Sequence, residues 1–317
     1  MTTADWLGPV AGVGLATGVW WPVRAAIAQR AERAFEQAYR RDASGVIVGA
    51  EPLFLRGTRP GAVLLLHGYN DSPQSVGPLA SALHDAGWTV RVPLLPGHGR
   101  TLQAFARSGA AEWIRAARDE YAALAAAHGP VAVGGLSMGG ALAFLIAAEH
   151  PDATAVIGIA PYLHVSPAMA LVTALSPVAA LGARYIAGGG GRSIHDPVAA
   201  ASIIAYRLST PRLLRELSRV VSRSAGVLPA VRQPVLVVQS REDNRIPVRS
   251  AQWAFDRVGS TDKTIDWVTG AGHVLTLDHG HAALEHRVID WLGERSESTR
   301  LNSSHRCISY AVFCLKK

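Results

Sequence analysis

The chain has 317 residues, 49% of them apolar and only 17% charged, which is too hydrophobic for a disordered chain and long enough to bury a substantial core. Its two cysteines, Cys307 and Cys314, both lie near the C-terminal end, so disulfides, thiol catalysis and a cysteine-based zinc site are excluded from the body. The formal charge of +7 owes four cations and no acid to residues 298–317, leaving +3 on the rest, too little to argue for nucleic-acid binding.

Trp6 to Val23 is a charge-free stretch of 18 residues with Trp6, Trp20 and Trp21 at its ends. It is just long enough to span a bilayer, and the tryptophans stand where an aromatic belt would. Asp5 precedes it and Arg24, Arg30, Arg33, Arg40 and Arg41 follow, so the positive-inside rule places the following domain in the cytoplasm. Residues 1–28 are therefore expected to be a membrane anchor, with Gly8, Gly12, Gly14 and Gly18 as small-residue pairs. Two alternatives are export, since Ala26-Ile27-Ala28 resembles a cleavage site but lacks a basic region before it, and a hydrophobic helix that packs against the cap of a soluble cytoplasmic protein. Residues 29–44 continue at helical spacing through Ala31, Ala34, Phe35 and Ala38 as a connector.

From residue 45 the pattern becomes that of an α/β domain extending to about 294. A leading hairpin is expected at 45–56. Apolar strand runs at 62–66, 89–95, 131–135, 155–160, 234–239 and 264–268 alternate with helical patterns at 75–86, 112–128, 139–149, 248–258 and 281–293. This predicts a mostly parallel central sheet with helices on both faces. Between about 162 and 230 the alternation lapses, as expected of an inserted cap. That segment holds the apolar stretch Met169 to Leu181, a four-glycine run at 188–191 that reads as a flexible loop, and a helix from Pro211 to Arg223. In that helix Leu213, Leu214, Leu217, Val220 and Val221 share one face, to pack on the core or, alternatively, to meet lipid.

Chemistry concentrates at three strand ends. Gly135-Leu136-Ser137-Met138-Gly139 stands between a strand run and a helical run, the setting of a nucleophile elbow, in which small residues at 135 and 139 clear space around an exposed serine. A tight turn carrying a solvated serine is the plain alternative. The strand at 234–239 runs into Glu242-Asp243, and Asp243, ahead of Asn244-Arg245-Ile246-Pro247, is the candidate acid, with Glu242 as the alternative. The glycine loop Thr269 to His273 delivers the candidate base, His273. A hydroxyl is a weak nucleophile at neutral pH, so it needs an imidazole to take its proton and a carboxylate to orient that imidazole. The loop His67-Gly68-Tyr69-Asn70 after the 62–66 strand supplies one oxyanion donor, the Tyr69 N–H, and the Met138 N–H the other. His67 and His98 are expected to be structural hydrogen-bonders, and His279, His281 and His286 to be solvated.

The segments Gly49 to Phe54, Leu64 to Tyr69, Ser72 to Ser75, Leu94-Leu95-Pro96-Gly97-His98-Gly99, Gly135 to Gly140 and Gly272-His273-Val274-Leu275-Thr276-Leu277-Asp278 together resemble the bacterial monoacylglycerol lipase and carboxylesterase group of the α/β-hydrolases. The resemblance implies the α/β-hydrolase fold with a cap and places the family triad on Ser137, Asp243 and His273. It also implies a serine esterase using an acyl-enzyme, with no metal and no cofactor, acting on a small acyl ester or monoacylglycerol. Tyr69-Asn70-Asp71 departs from it, since relatives more often carry an aromatic, a hydroxyl residue and a glycine there. An amidase, thioesterase or carbon–carbon hydrolase on the same triad, and a catalytically silent lipid-binding protein, are the competing readings; three filled triad positions in the right order argue against silence. Residues 298–317 back-translate to a stretch resembling a sequencing adapter and are set aside as an expected artefact.

Overall fold

The computed structural model describes residues 7–187 and 193–296, with side chains described from Trp20 onward. The apolar runs fold as strands β1 (Leu53–Leu55), β2 (Ala62–Leu66), β3 (Thr89–Val92), β4 (Val131–Leu136) and β5 (Val156–Ile159), then, after the intervening segment, β8 (Val235–Ser240) and β9 (Lys263–Val268). They form one seven-stranded sheet in the order β1-β3-β2-β4-β5-β8-β9. Every pairing is parallel except that of β1 with β3. Every residue of β2, β4, β5 and β8 is buried, as uninterrupted apolar strands require when helices cover both faces.

In chain order the helices are α1 (Leu7–Ala38), α2 (Gly77–Asp85), α3 (Leu102–Arg107), α4 (Ala110–His128), α5 (Met138–Glu149), α6 (Pro167–Ala174), α7 (Ser176–Gly182), α8 (Pro197–Ser202), α9 (Pro211–Val227), α10 (Val248–Arg257) and α11 (281–296). Leu79 and Leu83 of α2 and Val288 and Trp291 of α11 fill the core on one side of the sheet. Trp113, Ile114 and Tyr121 of α4 and the buried face of α5 fill the other. Helix α5 is apolar around its whole circumference from Met138 to Ala147 because it lies between the sheet and α9, and only its last turn, at Glu149, reaches water.

Three local expectations are corrected. The hairpin at 45–56 is a single strand, β1, because residues 42–50 are folded into a turn. Asp42 Oδ1 caps that turn by accepting from the Ser44 and Val46 amides, and one isolated bridge joins Arg41 to Ile47. The strand expected at 89–95 ends at Val92, since Pro93 has no N–H for the ladder. The unforeseen helix α3 starts where the Thr101 hydroxyl accepts from the Ala104 amide.

Residues 162–230 hold α6 to α9 and the short antiparallel ladder of β6 (Ile186–Ala187) with β7 (Leu208–Ser209). Leu213, Leu217, Val220 and Val221 of α9 are buried against α5, so this face packs on the core and does not meet lipid. Arg212, on the opposite side, donates to the carbonyls of Ala106, Arg107 and Ser108 at the end of α3. The glycine run 188–191 and residues 298–317 lie outside the described residues.

Among the described residues no helix is long and apolar enough to cross a membrane. The expected span is corrected accordingly; its first residue, Trp6, lies outside the described residues. Helix α1 runs on through Pro22 and past the stretch into Arg24. The described part packs against residues 180–206. Trp20 Nε1 donates to the Leu181 carbonyl at 3.1 Å and Arg24 to the Ala180 carbonyl at 2.8 Å. Further along, Glu32 accepts from Gln103 and Tyr185, each at 2.7 Å, while Phe35 stacks on Tyr206 at 4.9 Å.

Candidate active site

Ser137 stands between β4 and α5 with φ 54° and ψ −111°, a conformation that non-glycine residues rarely adopt. The turn survives because its neighbours lack side chains. A Cβ on Gly135 would fall 2.4 Å from the Gly139 carbonyl carbon, and one on Gly139 would fall 2.0 Å from the Leu66 oxygen. The Ser137 amide donates to Ile159 O at 2.9 Å and its carbonyl accepts from Tyr162 and Ala141, so the strained residue is held from both sides. Met138 opens α5, where the first amides of a helix have no intrahelical acceptor and point outward.

The facing loop leaves β2 at His67. Burial lowers the His67 imidazole to about 4, against the pull of its hydrogen bond to Gly68, so it is neutral at ordinary pH. Its Nε2 accepts from the Leu95 amide at 3.1 Å, which leaves Nδ1 protonated to donate to the Gly68 carbonyl at 2.9 Å. His67 thereby clamps the Gly68-Tyr69 backbone to the end of β3, the structural role expected of it. His98 sits 4.9 Å from it, ring to ring, and burial lowers its imidazole further. The Tyr69 ring packs on Phe105 and Trp113, and its hydroxyl bonds with Ser209, tying the loop to β7.

Opposite, the ends of β8 and β9 deliver the candidate acid and the candidate base. The His273 Nδ1 lies 2.8 Å from Asp243 Oδ2. The Asp243 side chain is wholly buried. Burial alone would raise its carboxyl, but the hydrogen bond and charge of His273 with the Ile246 and Arg245 amides hold it below the usual range. Glu242 points away: it accepts from the Gly270 amide at 2.7 Å and lies beside His195. The geometry thus brings Asp243, and not Glu242, to His273. Ser137, His273, Tyr69 and the apolar side chains of Met169, Ile203, Leu214, Leu217 and Val274 line one cavity of about 510 Å³.

Residues 57–280 match the family described as Serine aminopeptidase, S33. The chain belongs to this family. It is similar to the thermostable monoacylglycerol lipase of Bacillus sp. (strain H-257), 29% identical over 79% of this chain and 97% of that one, and to a carboxylesterase of Bacillus subtilis (strain 168), 25% identical over 73% and 92%. Among solved structures, one reported for the metagenome-derived lipolytic enzymes LipS and LipT superposes with a TM-score of 0.69 at 31% identity, covering 78% of this chain and 98% of that one. The Paleococcus ferrophilus monoacylglycerol lipase gives 0.66 at 20% identity over 77% and 98%, a likeness of fold. The α/β-hydrolase fold expected from sequence is the fold observed, and the chain is a serine hydrolase of the esterase and lipase group.

Two residues that support the site escaped sequence reading. Gln239, at the end of β8, donates to Asp243 Oδ2 at 2.8 Å, beside the His273 contact. Asp278 accepts from the Gly272, His195, Asp196 and His279 amides, fixing the loop that carries His273. Asp278 stood in the sequence only as the last residue of the resembling stretch Gly272 to Asp278, with no role attached. A Cβ on Gly272 would meet the Ser193 carbonyl at 2.6 Å, so this loop needs glycine at that point.

Proposed function

We propose that the chain hydrolyses carboxylic esters, monoacylglycerols among them, through an acyl-enzyme formed on Ser137. His273 takes the Ser137 proton as the oxygen attacks the ester carbonyl, then returns it to the departing alcohol; Asp243 holds the tautomer that exposes Nε2. The Tyr69 and Met138 amides receive the oxyanion. Water, activated by His273, then releases the acid. The observation that carries this reading is the His273–Asp243 pair at 2.8 Å, whose His273 lines the cavity that also holds the strained Ser137. The mostly apolar lining suits an acyl chain, and the volume is within the range of about 300–1,000 Å³ usual for small-molecule sites. The relatives' names as monoacylglycerol lipase and carboxylesterase support the substrate class.

The test is labelling with a fluorophosphonate, together with turnover of p-nitrophenyl esters and monoacylglycerols of increasing acyl length and of a p-nitroanilide. Wild type is expected to label and to turn over the esters faster than the anilide, and Ser137→Ala to do neither. Labelling that persists in Ser137→Ala, or preference for the anilide, overturns the assignment of nucleophile or bond.

A further inference from the structure

Asp71 is a carboxyl that the chemistry above leaves unused. It lies two residues beyond the Tyr69 amide and lines the cavity with Ser137 and His273. The point where a Cβ on Gly68 would sit is 3.4 Å from Asp71 Oδ2 and 3.6 Å from Ser137 Cβ, so the carboxyl lies within about 7 Å of the nucleophilic side chain. The residue is only 7% exposed, and its own partners are neutral: the Ser72 amide, which donates to Oδ1 at 2.8 Å, and the Ser75 hydroxyl.

We propose that Asp71 gates the oxyanion electrostatically: acyl transfer proceeds while this acid is neutral and is suppressed when it ionises. The reasoning rests on Ser137 being the nucleophile. Attack places a negative charge in the oxyanion hole while His273 takes up a proton; a second negative charge on the oxyanion side, at a separation of about 7 Å and an effective dielectric near 20, slows formation of the oxyanion by about 50-fold, less what its attraction for the imidazolium returns. Burial pushes the Asp71 carboxyl up to about 7, more than the Ser75 and Ser72 hydrogen bonds lower it, so the change of charge falls in the neutral range. The other titratable or charged groups around the cavity are Tyr69, Tyr162, Arg207, Arg245 and His273, with His67 beneath the loop. Burial raises both tyrosines and keeps His67 neutral, and although burial also lowers Arg245, a guanidinium does not lose its proton near neutrality, so none of these groups gives an alkaline limb there.

The experiment is kcat and kcat/KM against pH, from about 5.5 to 9.5, on a soluble p-nitrophenyl ester for wild type, Asp71→Asn and Asp71→Gly, with Ser137→Ala as the test of the nucleophile. Wild type is expected to fall at least about tenfold from its optimum to pH 9, while both Asp71 variants hold a plateau. Alkaline limbs that coincide in wild type and a folded Asp71 variant overturn the gate, whatever Ser137→Ala does. An active Ser137→Ala removes the nucleophile assignment separately. Should neither variant fold, the rate of fluorophosphonate labelling of wild type decides: a rate undiminished to pH 9.5 overturns the gate, and a fall with a midpoint near neutrality supports it.

Discussion

Replacing Gly139 with alanine tests whether the elbow is held by backbone contact alone. The added Cβ would lie 2.0 Å from the Leu66 oxygen, 2.5 Å from the Leu66 carbonyl carbon and 2.6 Å from the His67 oxygen. All three atoms are backbone, at the end of a strand buried on both faces, so no flexible side chain can yield. The Leu66–His67 peptide has to retreat by roughly 1 Å to reach the shortest separation that real Cβ atoms show. Overpacking of this kind costs about 1–3 kcal/mol, and a fixed backbone obstacle puts this site at the upper end. That corresponds to a fall in Tm of about 6–12 °C. The peptide that moves leads directly to the Tyr69 amide, and a displacement of about 1 Å in a positioned group lowers turnover by about 10²-fold. Gly77→Ala is the control, because a Cβ there meets nothing within 4 Å and the residue already has helical φ. Thermal unfolding and ester kinetics on the two variants separate steric from compositional effects. A Gly139→Ala protein whose Tm and kcat match those of Gly77→Ala would refute the reasoning.

Asp243→Asn is expected to lower kcat by about 10⁴-fold by leaving His273 in the wrong tautomer, whereas Glu242→Gln, whose partner is the Gly270 amide, stays near wild type; the reverse ranking in steady-state kinetics would move the acid. His67 has its folded-state pKa lowered to about 4, so its contribution to stability is complete above the unfolded value of 6.5 and is lost as pH falls toward 4. Urea unfolding of His67→Gln between those limits is expected to lose about 3 kcal/mol less on acidification than wild type, and equal slopes would contradict it. Asp71 has the opposite sign: its folded-state pKa lies above the unfolded one, so it costs stability increasingly from pH 4 to 7, and Asp71→Asn is expected to gain on wild type over that interval, by at most about 4 kcal/mol. Phe35→Ala, which removes the ring between Tyr39 and Tyr206, is expected to cost about 3–5 kcal/mol in the same assay; a neutral effect would mean that α1 is only loosely docked.

The central strands and the elbow were legible because their signals are local. Uninterrupted apolar runs report burial on both faces, and glycines flanking a serine report a turn without room for side chains. The ends of elements were less so: Pro93 halts β3 at Val92, three residues before the apolar run ends, and Thr101 starts a helix too short for periodicity to reveal. The choice between Asp243 and Glu242 depended on which of two adjacent carboxylates turns inward, which the 2.8 Å contact with His273 resolves and spacing alone could only favour. The N-terminal stretch was misleading for a different reason. An apolar helix docking on a protein surface and one entering lipid share composition, and what composition could not show is that the end of the stretch, at Trp20 and Arg24, bonds to the Ala180 and Leu181 carbonyls more than 150 residues away.

Strain and polarity are distributed in a way that composition could not disclose. Among the described residues the non-glycine positions with positive φ are Asn70, Ser137, Ala160 and Arg207. Asn70, Ser137 and Arg207 line the cavity, and Ala160 lies two residues before its wall at Tyr162. Each such residue costs about 1–3 kcal/mol and persists only where surrounding contacts fix it. Here the contacts are visible: Asn70 accepts through its carbonyl from the Tyr206 amide, Ala160 donates to Val238, and Ser137 is bonded to Ile159 and Tyr162. The same loop that carries Asn70 also buries Asp71 without an ionic partner. Strained backbone and a poorly solvated carboxyl therefore converge on one wall, beside the proposed oxyanion donors, while the fully bonded Asp243 lies behind His273, outside the cavity lining. That asymmetry is what acyl transfer asks of a site. The acid that orients the base has to stay charged, and the surface that receives the oxyanion has to hold donors without adding a second negative charge.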